Sequence, residues 1–191
     1  ETLIEGTEKI LKFYLENDRV NGKNDFPACV KLYKRELFSE IRFPNGKLYE
    51  DIITNFMILY KSNKYVKSSK IIYAYFQRPR SITKSCLSKK HLDLIDVAKE
   101  MLELIDNNSV LRQLCLRKIG MSYFSILSMY VRYGTDLSFN EIKELVLDYK
   151  KTKKYFLSTE KRISIHIISM FICMNIKLFR FIYKNIGRKK I

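Results

Sequence analysis

The chain has few cysteines and histidines, and their spacing argues against two common kinds of small protein. Its four cysteines lie far apart with no C-x-x-C pair, and its two histidines are near none of them in sequence. Zinc sites need ligands at short, regular spacings, so no metal site is predicted. Scattered thiols suit a reducing cytosol better than a disulfide framework, and we expect each cysteine to be a small core residue.

The sequence also predicts no signal sequence, and it shows no internal repeat and no low-complexity segment. Residues 1–9 are polar and acidic, unlike the basic and apolar opening of a secretory signal. We therefore expect a cytoplasmic location. Because the first residue is a glutamate, we also expect that a leading segment has been removed or that the chain is a piece of a longer protein.

No apolar run reaches the roughly 20 residues that a membrane-spanning helix needs. Residues 163–176 are strongly apolar, but this run is fourteen residues long and is interrupted by Ser164, His166 and Ser169. The sequence therefore predicts that this segment is too short to span a bilayer.

Positive charge is what the chain has in excess. Its 36 basic and 20 acidic residues give a net charge of +16, which favours a nucleic acid, a phosphorylated substrate or an acidic membrane surface as partner. Residues 150–191 carry +11 of this charge, so the body is only mildly basic. A hydrophobic content of 47% in 191 residues is enough for one core and a smaller second packing unit.

The first half of the chain has mixed patterns. Apolar residues at helical spacing predict a helix over residues 2–17. Residues 26–33 have strand character, whereas residues 50–62 again have helical spacing. Aromatic and β-branched residues predict two strands, at 64–67 and 71–76.

From Ser88 onward the pattern is helical. Helices are predicted over residues 92–105 and 110–133, the second closed by Gly134, and Ser138 with Glu141 has the spacing of a capping box for a third. We therefore expect an α+β protein that is mostly helical. Its predicted parts are residues 1–87, with few short strands, and residues 88–191, a helical bundle.

An adjacent acidic pair, Glu50 and Asp51, stands between a turn and a helix. The turn is signalled by residues 43–46, F-P-N-G, and the helix by the apolar residues that follow the pair. The simplest interpretation is that two carboxylates complement the helix dipole, which contributes about 0.3–1 kcal/mol. The neighbouring residues point to a second interpretation.

Several short motifs carry a resemblance to a known family. They are K-L-Y-K-R-E-L-F at 31–38, I-R-F-P-N-G-K at 41–47, Y-E-D at 49–51, Y-A-Y at 73–75 and Q-R-P-R-S-I-T at 77–83. In this order and at these separations they resemble the second half of a family 2 glycosyltransferase of GT-A fold. More narrowly, the region from Phe26 to Thr83 is similar to bacterial enzymes that build capsule, exopolysaccharide and cell-wall glycans.

The resemblance implies an inverting transfer of a sugar from a nucleotide-sugar donor to a glycan or lipid-linked acceptor. Such a hydroxyl needs a base to remove its proton as the new bond forms. The resemblance assigns this role to Asp51, with Glu50 in support. It also places Lys31, Tyr49, Arg78 and Arg80 at the substrate, and the two arginines suit a diphosphate, although both are equally expected as solvated loop residues.

Two features of the family are missing from the sequence. A complete enzyme is expected to hold a divalent metal, Mn²⁺ or Mg²⁺, through an Asp-x-Asp motif, and no D-x-D occurs here. The opening strand and helix of the nucleotide site are missing as well. We therefore expect the chain to be the acceptor-side, C-terminal portion of such an enzyme, without its N-terminal donor-binding half.

The tail predicts a membrane contact. Lys177, Arg180, Lys184 and Arg188 follow at steps of three and four, which sets a basic face beside an apolar one. That pattern fits a helix lying on an anionic membrane surface, with the protein peripheral at the inner face of the cell membrane. A buried last helix with a solvated edge is the alternative.

A non-catalytic module is the other class of protein to weigh. Basic residues and thirteen tyrosines could serve a helical module that binds nucleic acid or a membrane surface. However, the tyrosines mostly lie in apolar runs, where core packing explains them better. We therefore predict no nucleic-acid partner.

Overall fold

A computed structural model describes residues 1–16, 27–70, 73–74, 76, 85–105 and 107–187. Over these residues the protein is mostly helical. In chain order the strands and α-helices are β1 (Thr2–Glu5), α1 (Thr7–Glu16), α2 (Glu50–Tyr60), β2 (Lys64–Lys67), α3 (Asp93–Glu103), α4 (Ser109–Tyr133), α5 (Phe139–Leu157) and α6 (Ile163–Gly187). Short 3₁₀ helices occur at Ala28–Val30, Arg35–Phe38 and Lys89–Leu92.

The chain divides into two compact units. Unit 1 comprises Glu1–Phe76 together with Asp96–Cys115, and unit 2 comprises Gln77–Ile95 together with Leu116–Ile191. Unit 1 contains the acidic pair, and unit 2 contains the basic tail. The predicted division into residues 1–87 and 88–191 stays a prediction.

Two sequence predictions in unit 1 are wrong. The helix predicted from residue 2 begins at Thr7, because residues Thr2–Glu5 form β1 and pair antiparallel with β2. Gly6 ends the strand with a φ of +94° and donates its N–H to Asn63 O at 2.9 Å. Residues 28–30 form a 3₁₀ helix and not part of a strand. The strand predicted at 71–76 lies partly outside the described residues, whereas that at 64–67 is confirmed.

The core of unit 1 holds α1 against α2. The buried apolar residues of α1 recur at steps of one and three, so they share one face of the helix. Each such side chain contributes about 1.5–3 kcal/mol by leaving water. The buried core residues are Ile10, Leu11, Tyr14, Leu15, Ile53, Phe56, Leu59, Val97, Met101, Ile105, Leu111 and Cys115. This core fixes the start of α2, where the acidic pair lies.

Unit 2 is built on contacts of α5 with α4 and α6. Gly120 lets α4 approach α5 closely, since a Cβ there would lie 2.9 Å from the backbone oxygen of Thr152. The rings of Phe124 and Phe156 pack 5.3 Å apart. Between α5 and α6, the buried hydroxyls of Tyr149 and Ser169 form a 2.7 Å hydrogen bond.

The helix ends of unit 2 follow the sequence signals. Gly134 has a φ of +86° just after α4, which confirms the predicted C-cap. Ser138 and Glu141 form the predicted capping box at the start of α5. These residues stabilise the helix ends, because the first N–H groups of a helix and its last carbonyls have no partner within the helix.

The prediction that the apolar segment is too short to span a bilayer is wrong. The helix continues from this segment through the basic residues, as expected, and α6 has 25 residues from Ile163 to Gly187. By length and composition, the part of this helix from Ile163 to Asn185 is long and apolar enough to cross a membrane, and most of it is not buried within the protein. Asn175 has non-helical angles, φ −156° and ψ 95°, so α6 consists of two helical halves.

Candidate active site

A strained turn leads into the acidic pair. Gly46 has a φ of +77°, and Tyr49, the residue before α2, has a φ of 62°. No other non-glycine residue in the described part of the chain has a positive φ. A non-glycine residue in this left-handed region costs about 1–3 kcal/mol, and such residues cluster at active sites and ligand-binding loops. The Lys47 ammonium holds the turn in place through a 2.6 Å ion pair with Glu100.

Glu50 and Asp51 are the first two residues of α2, which confirms their predicted position at a helix N-terminus. The pKa of the Asp51 carboxyl is raised, chiefly because the half-buried group has lost water and secondly because Glu50 is negatively charged. Backbone N–H groups and the Lys31 ammonium act in the opposite direction. Their effect is smaller, so burial and like charge determine the basicity of Asp51.

Lys31 is the cation whose charge acts on Asp51. It follows the 3₁₀ helix Ala28–Val30, which contacts α2. Its ammonium donates a 3.0 Å hydrogen bond to Pro27 O and lowers the pKa of Asp51 through its charge. The structure thus brings Lys31, Glu50 and Asp51 together, with Tyr49 next to them in the chain.

Two residues of the site were not predicted. The Tyr33 hydroxyl donates a short hydrogen bond to Oδ1 of Asn55, which is fully buried on α2. Burial, followed by the charge of Asp51, raises the pKa of Tyr33 to about 12. Asn55 lies four residues after Asp51, so both occupy one face of the helix. A polar residue at that spacing among apolar ones was the available signal.

An aromatic row continues from this pair to the surface. The ring of Tyr33 meets Phe38 edge-on at 5.4 Å, and Phe38 stacks on Phe43 at 6.1 Å. The Phe43 side chain is 42% exposed. The row therefore links the Tyr33–Asn55 pair to an aromatic ring at the surface of unit 1.

The remaining predicted site residues fall into two groups. Arg78, Arg80 and Arg188 lie outside the described residues. In unit 2 the Arg180 guanidinium donates to the carbonyls of Tyr130 and Val131, the latter at 2.9 Å, and so caps the end of α4.

The two remaining tail cations are exposed. The Lys177 ammonium lies 3.4 Å from the centre of the Phe139 ring, while Lys184 points toward solvent. Among the predicted membrane-facing cations that the structure describes, Arg180 is therefore bound to the protein, whereas Lys177 and Lys184 are exposed.

A metal-binding set is not found in the part of the chain that the structure describes. There, no three His, Cys, Asp or Glu side chains lie close enough together to share an ion. The divalent metal expected for a complete enzyme does not fit the residues at hand. The chemistry below is therefore derived from Asp51 and its neighbours.

The site presents a half-buried carboxylate of raised pKa and a lysine whose charge partly offsets that increase. Such a site can take a proton from a neutral hydroxyl group.

Comparison with known proteins gives one partial similarity. The chain is 36% identical over 80 residues to glycosyltransferase GlyA of Streptococcus pneumoniae serotype 4. The match covers 42% of the chain but 12% of that protein, so the chain corresponds to a small part of this relative. No family model matches the chain, and no solved structure does. The similarity supports a glycosyltransferase in general terms.

Proposed function

We propose that the chain is the acceptor side of an inverting, family 2 glycosyltransferase of GT-A type. It would transfer a sugar from a nucleotide-sugar donor to a hydroxyl of a glycan or lipid-linked acceptor in polysaccharide biosynthesis. The observation that carries the proposal is the half-buried Asp51 at the start of α2, whose pKa is raised. The partial identity to a glycosyltransferase supports it.

Asp51 acts as the general base. As the acceptor oxygen attacks the anomeric carbon, its proton passes to a carboxylate oxygen of Asp51, and the nucleoside diphosphate leaves with the bonding electron pair. Attack from the face opposite the leaving group inverts the anomeric centre. A raised pKa makes the carboxylate a stronger base, so proton transfer from a hydroxyl becomes more favourable.

The neighbours of Asp51 tune this basicity and hold the carboxylate in place. Glu50 raises the pKa of Asp51 through its negative charge, and Lys31 lowers it through its positive charge. Tyr33, bound to Asn55 one turn along α2, borders the carboxylate as a neutral phenol. We therefore assign positioning roles to Glu50, Lys31 and Tyr33, and the proton transfer to Asp51.

Substitution of the acidic pair tests the proposal. In an enzyme assembled from this chain and a donor-binding half, Asp51→Asn is expected to lower transfer by roughly 10²–10⁴-fold. Glu50→Gln is expected to lower it less, because Asp51 remains a base. The measurement is the initial rate of sugar transfer to an acceptor.

Glu8→Gln is the matched control, since Glu8 lies in the first turn of α1 and has the same relation to a helix dipole. If the carboxylates serve only the dipole, all three variants will retain transfer and differ in stability by about 1 kcal/mol or less. That result would contradict the proposed function.

A further inference from the structure

An exposed apolar stripe runs along α6. The side chains in it are exposed and recur at steps of three, four and one, so they share one side of each helical half. We call them the α6 stripe: Ile163, Ile167, Met170, Phe171, Met174, Leu178, Phe181 and Ile182. Single exposed apolar residues are ordinary, whereas a contiguous set of this size marks a contact surface.

The opposite side of α6 is attached to unit 2. Ser169, Ile172 and Ile176 are buried, and Ser169 exchanges a hydrogen bond with Tyr149 of α5. Arg180 holds the second half of α6 to the end of α4. Both halves of α6 thus have an inner side fixed to the protein and an outer side that carries the stripe.

Asn175 separates the two halves. Its backbone is non-helical, and its side-chain Oδ1 accepts the N–H of Leu178 at 3.0 Å, so it caps the second half as a new helix. Phe171 and Phe179 stack at 5.4 Å across the break. Residues eight apart in a straight helix are separated by about 12 Å along the axis, so this contact requires the bend.

From these contacts we infer that the α6 stripe is a docking surface for an anionic lipid bilayer, on which α6 lies in the interface plane. The charge of the region selects this partner, since residues 150–191 carry +11. Lys177 and Lys184 are exposed and lie one turn before and after Phe181. Their ammonium groups can reach headgroups while their methylene stems follow the apolar surface. The inference does not depend on the proposed activity of Asp51.

Two other occupants fit less well. A second copy of the chain would bring two strongly positive tails together, which charge repulsion opposes. A bilayer-spanning α6 would place the break at Asn175 near the middle of the hydrocarbon, where backbone groups outside a regular helix are costly. A spanning α6 would also have to break its contacts with α5, because the charged side chains of α5 would not follow it into the hydrocarbon. A helix lying in the interface keeps both its inner contacts and its cations in place.

Tryptophan fluorescence can test the depth of the helix, because the chain contains no tryptophan. The variants are Ile163→Trp, Met174→Trp and Phe181→Trp of the full chain. Each is mixed with phosphatidylcholine–phosphatidylglycerol vesicles brominated either near the headgroup end or near the methyl end of the acyl chain. We expect the headgroup-end bromines to quench all three more strongly than the deep ones. Leu147→Trp, at an exposed site on α5, is the control and should be quenched by neither.

Vesicle sedimentation provides the second measurement. The double variant Met174→Gln/Phe181→Gln should lower partition onto anionic vesicles by roughly tenfold or more, whereas Leu147→Gln should leave it unchanged. Vesicles of phosphatidylcholine alone should bind the wild-type chain at least about tenfold more weakly. Circular dichroism checks that each variant keeps its helices.

Several results would overturn the inference. Strongest quenching of Met174→Trp by the deep bromines would show that α6 spans the bilayer. Partition that is unaffected by the double variant would show that the α6 stripe does not contribute to binding. Equal partition onto neutral and anionic vesicles would show that charge does not contribute. A dimer that forms without lipid and is lost in the double variant would assign the stripe to a second copy.

Discussion

Asp51 is the residue at which function and stability are expected to conflict. Its carboxyl has a higher pKa in the folded chain than in the unfolded one, chiefly because of burial. The folded state therefore binds the proton more tightly, and stability falls as the pH rises from the unfolded pKa through the folded one. At neutral pH the ionised group is a cost to the fold, as is common for catalytic carboxylates.

Asp51→Asn should therefore raise the stability of the isolated chain at neutral pH. Asparagine keeps the size of the side chain but carries no charge to desolvate. The melting temperature, measured at pH 7 and again well below the unfolded pKa of an aspartate, should increase at the first pH and change little at the second. A lower melting temperature at pH 7 would show that the ionised carboxylate is stabilising, as the helix-dipole interpretation requires.

At the scale of single residues, sequence reasoning found the acid but not its surroundings. Glu50 and Asp51 were predicted because a turn signal precedes them and a helical pattern follows. Tyr33 belongs to the motif K-L-Y-K-R-E-L-F, yet nothing in the sequence shows that its hydroxyl binds Asn55. That contact joins residues 22 positions apart, and local patterns do not report packing at such separations.

At the scale of elements, prediction succeeded where local signals agree and failed where distant residues decide. The capping box of α5 and the glycine after α4 are local and are confirmed. The helix predicted from residue 2 is wrong because β2, about sixty residues later, offers a strand to pair with. The predicted continuation of the last helix into the basic tail is confirmed as far as Gly187. Its apolar stretch is longer than predicted, because apolar residues continue between the cations after Ile176.

Because Gly134 has no side chain, Arg180 of α6 can reach the end of α4 beside it. Its φ of +86° disfavours any L-residue, and a Cβ there would lie 2.7 Å from a guanidinium nitrogen of Arg180. Gly134→Ala should therefore cost more than the roughly 1–2 kcal/mol of the left-handed backbone alone. Chemical denaturation measures this free energy of unfolding.

Gly6→Ala provides the matched control for the substitution at Gly134. Gly6 has a similar φ of +94°, but a Cβ there would meet nothing within 4 Å. The control should show the backbone cost without the steric one. Equal losses in the two variants would mean that Arg180 moves aside freely and does not cap α4 in solution.

At the scale of the whole molecule, the sequence predicted a mostly helical α+β chain, and the described residues are mostly helical with two strands. Assignment to the GT-A type stays a proposal, since no solved structure matches. Composition reports the balance of helix and strand well. It does not report which elements pack together, because that depends on contacts such as the one at Gly120.

The chain by itself should bind nucleotide sugars weakly. The residues expected to hold a base, a ribose and a metal-bound diphosphate are not among those identified at the site. Isothermal titration calorimetry with uridine and guanosine diphosphate sugars in the presence of Mn²⁺ should give dissociation constants well above about 1 mM, an interaction weaker than about 4 kcal/mol. Micromolar binding would show that the chain contains a donor site of its own.

The most direct test of the account is the pH dependence of sugar transfer in an enzyme that combines this chain with a donor-binding half. Transfer should fall toward low pH as Asp51 takes up its proton, because a protonated base cannot accept another. Glu50→Gln removes a charge that raises the pKa of Asp51, so the acidic limb should move to lower pH. Lys31→Met removes a charge that lowers this pKa, so the limb should move to higher pH. If both variants keep the wild-type limb, or if both shift it in the same direction, Asp51 is not the base.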